Sequence, residues 1–289
     1  MSGGCSDISC EETSSEFLDL CHDDDSGDPC TPPPPMPGRG YSGVSLKTPD
    51  GNPLFCGGHY HNGRCYEYVP EIGAWRDGLD LLSAREDSAF TARSDGGFWV
   101  LSGLVDNDPY TSEVYEVGSF SLGDVLPQDG YERDCGPCAV RVSDDVTFFA
   151  NTKAYLYSGG SFQETTTPLP YPACRSVCGA ATLDDGSRIV VVGGGDYIGY
   201  TEQVNILDVD TGVWSEGPRL PYTVTGAGLA QMEGSFLVLG GYRDSIYHDV
   251  TTILEFDPLD MAWIVRNETL GKTRRRFFIT DVEKERFCN

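Results

Sequence analysis

Basic residues are scarce in this chain: 20 Lys and Arg stand against 45 Asp and Glu, a formal net charge of −25. That balance repels phosphate backbones and anionic headgroups, so neither nucleic acid nor a lipid surface is expected as a partner. A basic protein or a cation is favoured instead. No apolar run approaches the roughly 20 residues that a membrane-spanning helix needs, so membrane insertion is not expected. No long stretch repeats with the apolar period of an amphipathic helix. Histidine is rare as well, with only His22, His59, His61 and His248. Gly193-Gly194-Gly195 ends a strand-like run and opens no helix, so it is not a phosphate cradle. No nucleophile–base pair stands out from the many carboxylates. The chain is therefore expected to be non-catalytic and to need no cofactor and no resident metal.

What the chain does have is turn chemistry between short apolar runs. Its 289 residues include 35 Gly and 18 Pro, suited to many tight turns. The stretch from Arg175 to Pro221 shows the unit. An alternating segment around Cys178 turns at Asp184-Asp185-Gly186. A β-branched run, Ile189 to Val192, then ends in three glycines. A third strand follows over Gln203 to Val209, then an Asp-Thr-Gly turn and a fourth strand around Trp214. Four strands in meander order make a small sheet with two apolar faces, which is marginal alone and needs neighbours of its own kind.

Those neighbours are in the sequence. PLFCGG (53–58), WVLSG (99–103) and FLVLGG (236–241) repeat the run and its glycines, and Phe148 to Asn151 is a degenerate copy. With Gly58, Gly103, Asn151, Gly194 and Gly241 as markers, the steps are 45, 48, 43 and 47 residues. Within each copy an aromatic or apolar residue leads a Trp or Phe by 7, 5, 5, 7 and 7, as in Tyr68/Trp75 and Phe256/Trp263. Such a period, with four strands per copy, marks a β-propeller. The apolar run ending in Gly-Gly, then Tyr or Phe, then Trp resembles Kelch repeats over residues 39–289, although two copies lack the Trp and one lacks the glycines. The resemblance implies architecture more than activity.

The expected fold is all-β: a β-propeller of six four-stranded Kelch-type blades, closed by N- and C-terminal strands. Residues 1–38 form a cysteine-rich segment that contributes strands to the closing blade, and 39–289 form the propeller. Pro35 to Arg39 reads like the proline-bearing end of a preceding blade, and Glu16 to Leu20 like a third strand. At the other terminus Arg276 to Val282 reads as a first strand and Arg286 to Cys288 as a truncated second. Arg39, Arg85, Arg175 and Arg275 recur near the first strands, where guanidinium groups can donate across blade boundaries.

The eleven cysteines point to an oxidising compartment. Cys56 ends a second strand and Cys65 begins the adjacent third strand, so a bridge within that blade is expected. Cys135, Cys138, Cys174 and Cys178 lie at the starts of consecutive first strands and are expected to form two bridges, with the pairing open. Cys5, Cys10, Cys21 and Cys30 can pin the amino-terminal segment, with Cys288 among the available mates. The odd total leaves one thiol free or intermolecular, so the chain is a monomer or a disulfide-linked oligomer. Cys135-Gly136-Pro137-Cys138 resembles the thioredoxin motif, but a strand-like alternation follows where that chemistry requires a helix amino terminus. Asn267-Glu268-Thr269 is a glycosylation sequon. Met1 to Cys10 carries no charged-then-apolar leader. The expectation is an extracellular protein whose signal peptide is missing from this chain.

Recognition chemistry concentrates in the loops between second and third strands: His59-Tyr60-His61, Asp108 and Tyr110, then Asp196, Tyr197 and Tyr200, and finally Tyr242, Arg243, Tyr247 and His248. Meander order puts these loops on one face of the disc. Tyr with Asp and Arg is the composition of protein-binding hot spots, so the chain is read as a non-catalytic binder of a protein or a glycan. Two alternatives stand beside it. Copper oxidases built on Kelch-type blades hold their metal with Tyr and His, and His59 and His61 could offer two ligands. A disulfide-linked extracellular matrix component would use the odd cysteine.

Overall fold

The computed structural model describes residues 33–38, 42–58, 63–93, 95–103, 110–116, 118–127, 136–143, 147–150, 153–171, 176–183, 186–195, 199–232, 235–243, 248–277 and 279–280. Among these it is all-β, with one 3₁₀ turn at Pro70–Ile72 and no α-helix. Five four-stranded antiparallel sheets follow one another as blades. Blade 1 is β1 (Val44–Lys47), β2 (Pro53–Cys56), β3 (Cys65–Val69) and β4 (Ala74–Asp77). Blade 2 is β5 (Ala89–Ala92), β6 (Phe98–Leu101), β7 (Ser112–Glu116) and β8 (Ser119–Leu122). Blade 3 is β9 (Cys138–Arg141), β10 (Thr147–Ala150), β11 (Ala154–Ser158) and β12 (Ser161–Glu164). Blade 4 is β13 (Val177–Leu183), β14 (Gly186–Val192), β15 (Val204–Asp208) and β16 (Val213–Glu216). In blade 5, β17 (Gly228–Gln231) and β18 (Phe236–Leu239) lead to a two-stranded hairpin, β19 (Tyr242–Arg243) and β20 (His248–Asp249). The blade then resumes with β21 (Thr252–Asp257) and β22 (Ala262–Thr269).

Burial explains the order. Second strands such as Pro53–Cys56 and Phe236–Leu239 are buried at every position, as continuous apolar runs covered on both faces should be. Fourth strands such as Val213–Glu216 are mostly exposed and form the outer rim. The first strands pack side by side around the axis, β1 on β5, β5 on β9, β9 on β13 and β13 on β17.

The double glycines work where each second strand ends. Gly193 and Gly194 have φ of 62° and 83°, and a Cβ on Gly193 would sit 2.4 Å from the Val224 carbonyl of the link that follows blade 4. That close approach lets Gly194 N–H donate to Val224 O at 2.9 Å. Gly58 to Arg85 O and Gly241 to Arg274 O repeat the bond. In blade 2 the first glycine is replaced by Ser102, which keeps φ at 62°. Its carbonyl accepts from Arg85 Nη1 at 2.8 Å and Ser88 Oγ at 3.1 Å.

Of the recurring arginines, Arg39 and Arg175 lie outside the described residues, while Arg85 has the structural role expected. It is buried between blades 1 and 2, with Nε 2.7 Å from Glu113 Oε1 on β7, and it also donates to Thr111 O and Oγ1. Glu113 accepts the N–H groups of Leu82 and Ser83 as well. Every partner is satisfied, which a buried ion pair needs to be tolerated. The indole N–H groups of the fourth strands reach back to the segment before their blade: Trp75 to Pro34 O, Trp214 to Thr165 Oγ1 and Trp263 to Pro218 O. Pro34 therefore occupies the place of a blade ending, as its sequence implies, and Met36 is buried with Phe55 and Tyr66.

The described residues hold five blades, so the expectation of six is corrected. The described residues from Arg274 to Ile279 follow blade 5 outside any of the strands, and their bonds include several to other parts of the ring. Arg276 N–H donates to Gly226 O at 2.7 Å, and Arg276 O accepts from Ser42 N–H at 2.9 Å. Ile279 N–H donates to Ser45 Oγ at 2.9 Å. This segment joins blade 5 to blade 1 at the axis. The strands expected at Glu16 to Leu20 and Arg286 to Cys288 lie outside the described residues.

Cys56 and Cys65 stand directly opposite in register and are disulfide-bonded, as expected. Cys138 is also disulfide-bonded and opens a strand, so no helix follows the Cys-Gly-Pro-Cys motif. Cys135, Cys174 and Cys288 lie outside the described residues, as does the side chain of Cys178. Asn267 is exposed on β22.

Candidate functional site

The meander places the starts of the first strands and the loops after the second strands at one face. At its centre is an axial cavity of about 200 Å³ lined by the opening residues of the first strands of all five blades and by Arg276, Phe277 and Ile279. Its rim is held by backbone in the left-handed region: Ser42, Asp87 and Arg276 have φ of 58°, 52° and 49°. Asp87 N–H donates to Ser42 O at 2.8 Å. The Arg276 guanidinium reaches Asp87 Oδ2 at 3.3 Å and Ser42 Oγ at 3.4 Å. Ser88, Cys138 and Ser176 give the cavity wall polar and sulfur atoms, and Phe90, Leu229 and Phe277 give it apolar surface.

Beside the axis, the β19–β20 hairpin supports an aromatic cluster. Thr225 pairs with Tyr242 as an isolated bridge, which ties the hairpin base to the link before β17. Tyr200 meets Tyr242 edge-on, centroids 5.9 Å apart, a geometry aromatic pairs prefer. Arg275 lies over Tyr242 at 5.2 Å and pairs with Asp249 at 3.4 Å. Arg243 lies over Tyr222 at 4.4 Å, within cation–π range. Burial raises the Tyr222 phenol above its ordinary pKa, while a Thr252 hydrogen bond and the Arg243 charge pull it back. The arrangement presents the half-buried Tyr200, Tyr242, Arg243 and Arg275, backed by the buried Tyr222 and Asp249, which is chemistry of contact.

Of the residues picked from sequence, Tyr200, Tyr242 and Arg243 come together here, half-buried, and His248 is exposed on β20 of the same hairpin. Tyr110 sits apart, packed on the core cluster of Trp99, Leu126 and Phe149. His59, Tyr60, His61, Asp108, Asp196, Tyr197 and Tyr247 lie outside the described residues. Among the described residues no group of three or more His, Cys, Asp or Glu is placed to hold a metal. Tyr222, Asp249, Arg275, Asp87 and Arg276 are site residues that loop composition missed. Tyr222 carried a signal, standing directly after the Leu220-Pro221 blade ending, and Arg275 was marked only as one of the recurring arginines.

A scan against protein-family models and a search of curated proteins each return no match. The class of the protein is thus defined by its architecture, a β-propeller with five four-stranded blades among the described residues.

Proposed function

We propose that this propeller is a non-catalytic recognition module that binds a protein partner with the face carrying the β19–β20 hairpin and the axial cavity. The observation that carries the reading is the Tyr200–Tyr242–Arg275–Asp249 cluster. Its side chains are ordered before any partner arrives, so binding loses less rotamer entropy. Tyr and Arg beside a shallow cavity are the residue types that anchor interfaces, and β-propellers commonly serve as protein-binding scaffolds. The Kelch-type identity of the blades belongs to this proposal and rests on the Gly-Gly and Trp pattern of the sequence. So does an extracellular setting with a glycan at Asn267, supported by the Cys56–Cys65 bridge, the bonded Cys138 and the exposed sequon.

The test is affinity capture from extracellular fluid with the intact protein and with a folded Tyr200→Ser/Tyr242→Ser/Arg243→Ser variant. The recovered partner is then purified and its affinity for both forms measured. Loss of affinity in the variant supports the reading, and equal binding by both forms refutes it. A stoichiometric transition metal in the purified protein, lost on replacing His59 and His61, would instead favour a metalloenzyme.

A further inference from the structure

A second site lies away from that face, at the boundary of blades 2 and 3. It begins with a substitution in the repeat. Blades 1, 4 and 5 carry a Trp on the fourth strand whose indole N–H bonds to the segment before the blade. Blades 2 and 3 have Phe120 and Phe162 at that position, with no N–H to give, and Phe162 packs edge-on to Trp99 of blade 2 at 5.9 Å. Beside this contact a groove of about 410 Å³ runs between the outer half of blade 2 and the first three strands of blade 3. That volume falls within the range of small-ligand pockets, roughly 300–1,000 Å³.

The walls of the groove are polar and held in place. Arg93 lies over Trp99 at 5.6 Å and is paired with Glu116 at 2.8 Å and Asp95 at 2.7 Å. Arg141 donates to Arg93 O and to Ser143 O, both at 3.3 Å. Tyr157 donates its O–H to Asp124 at 2.5 Å and packs edge-on against Trp99 at 4.6 Å. The backbone carbonyl of Asp124 accepts from Ser112 Oγ at 2.7 Å.

The charges select the ligand class. Two guanidinium groups, Arg93 and Arg141, line the groove with two carboxylates, Glu116 and Asp124, and Asp95 pairs with Arg93 beside them, so a ligand there meets charges of both signs. An anion would meet the carboxylates and a cation the guanidinium groups, each with a desolvation cost left uncompensated. A hydrocarbon would strip water from all four. A neutral polyhydroxylated ligand suits both signs, because every hydroxyl donates to a carboxylate and accepts from a guanidinium. We propose that the groove between blades 2 and 3 is a saccharide-binding site that takes a neutral sugar unit of a glycan. This rests on the blade boundary and not on the protein-binding face, so either reading can fail alone.

The experiment titrates the intact protein with a panel of neutral sugars (glucose, galactose, mannose and N-acetylglucosamine, then their oligosaccharides), followed by saturation-transfer NMR. Glycine and inorganic phosphate serve as zwitterionic and anionic controls. The expected result is saturable binding of at least one sugar. It should weaken about tenfold or more in Arg141→Met, which removes a charged donor. A folded Ser121→Trp variant, which fills the groove from an exposed position, should abolish it, and Tyr242→Ser should leave it unchanged. The proposal is overturned if no sugar binds the folded protein, if Ser121→Trp binds as well as the parent, or if glycine or phosphate is the ligand the groove variants lose.

Discussion

Two junctions of the ring are built differently. Between blades 1 and 2 the buried Arg85–Glu113 pair sits at the centre of a network in which one guanidinium and one carboxylate satisfy five further backbone and side-chain groups. Between blades 5 and 1 the join is the Arg274 to Ile279 segment, with single backbone bonds to Gly226 and Ser42 and a longer, half-buried Arg276–Asp87 pair. The first junction is made by residues in neighbouring repeats, the second by residues from opposite ends of the chain. Among the described residues, the junction within continuous chain is a buried charged network, whereas the one that joins distant parts of the chain rests on backbone bonds and a half-buried ion pair.

The largest effect is expected at the strong junction. Glu113→Ala strands a buried guanidinium and two N–H groups, and should cost about 3–5 kcal/mol, read as a large fall in the denaturant midpoint. Next is the disulfide beside the seam: with a sequence separation of 9, replacing both Cys56 and Cys65 by Ser should cost about 2–3 kcal/mol through freer unfolded chain. Reduction of the parent should cost more than that, because it also opens the Cys138 bridge. Arg276→Ala at the seam should cost only about 1 kcal/mol; a loss as large as that of Glu113→Ala would erase the distinction between the junctions.

The smallest effect is confined to alkaline pH. Tyr157 is pushed up to about 12, by burial first and then by its bond to Asp124. Its folded pKa lies above its unfolded value near 10, so this contribution is fully present below pH ~10 and is lost between ~10 and ~12 as the phenol ionises. Phenolate absorbance should show late-titrating tyrosines, Tyr157 together with Tyr68, Tyr115 and Tyr222, and Tyr157→Phe should remove its part of that late step and its share of the alkaline destabilisation.

Much of the blade was readable residue by residue. Ile189 to Val192, Phe236 to Leu239 and the glycines after them are local signals, because strand burial and left-handed turns are imposed over five or six residues. The Cys56–Cys65 bridge followed from the same register. The site was less readable. Tyr200, Tyr242 and Arg243 were found as loop composition, but Tyr222, Asp249 and Arg275 are neighbours only because the hairpin folds back onto the link before β17. Tyr110 has the same composition and packs into the core instead.

The sequence by itself determined an all-β chain of repeated four-stranded units, the turns that end their strands and the aromatic positions between them, because each is set by sterics and burial over short spans. The tertiary structure alone decided that five blades stand among the described residues, how the segment after blade 5 meets the start of blade 1, and where a groove opens between blades 2 and 3. Those depend on contacts such as Arg276 with Asp87 and Ile279 with Ser45, 189 and 234 residues apart. No local pattern encodes such contacts; only the closed ring brings them together.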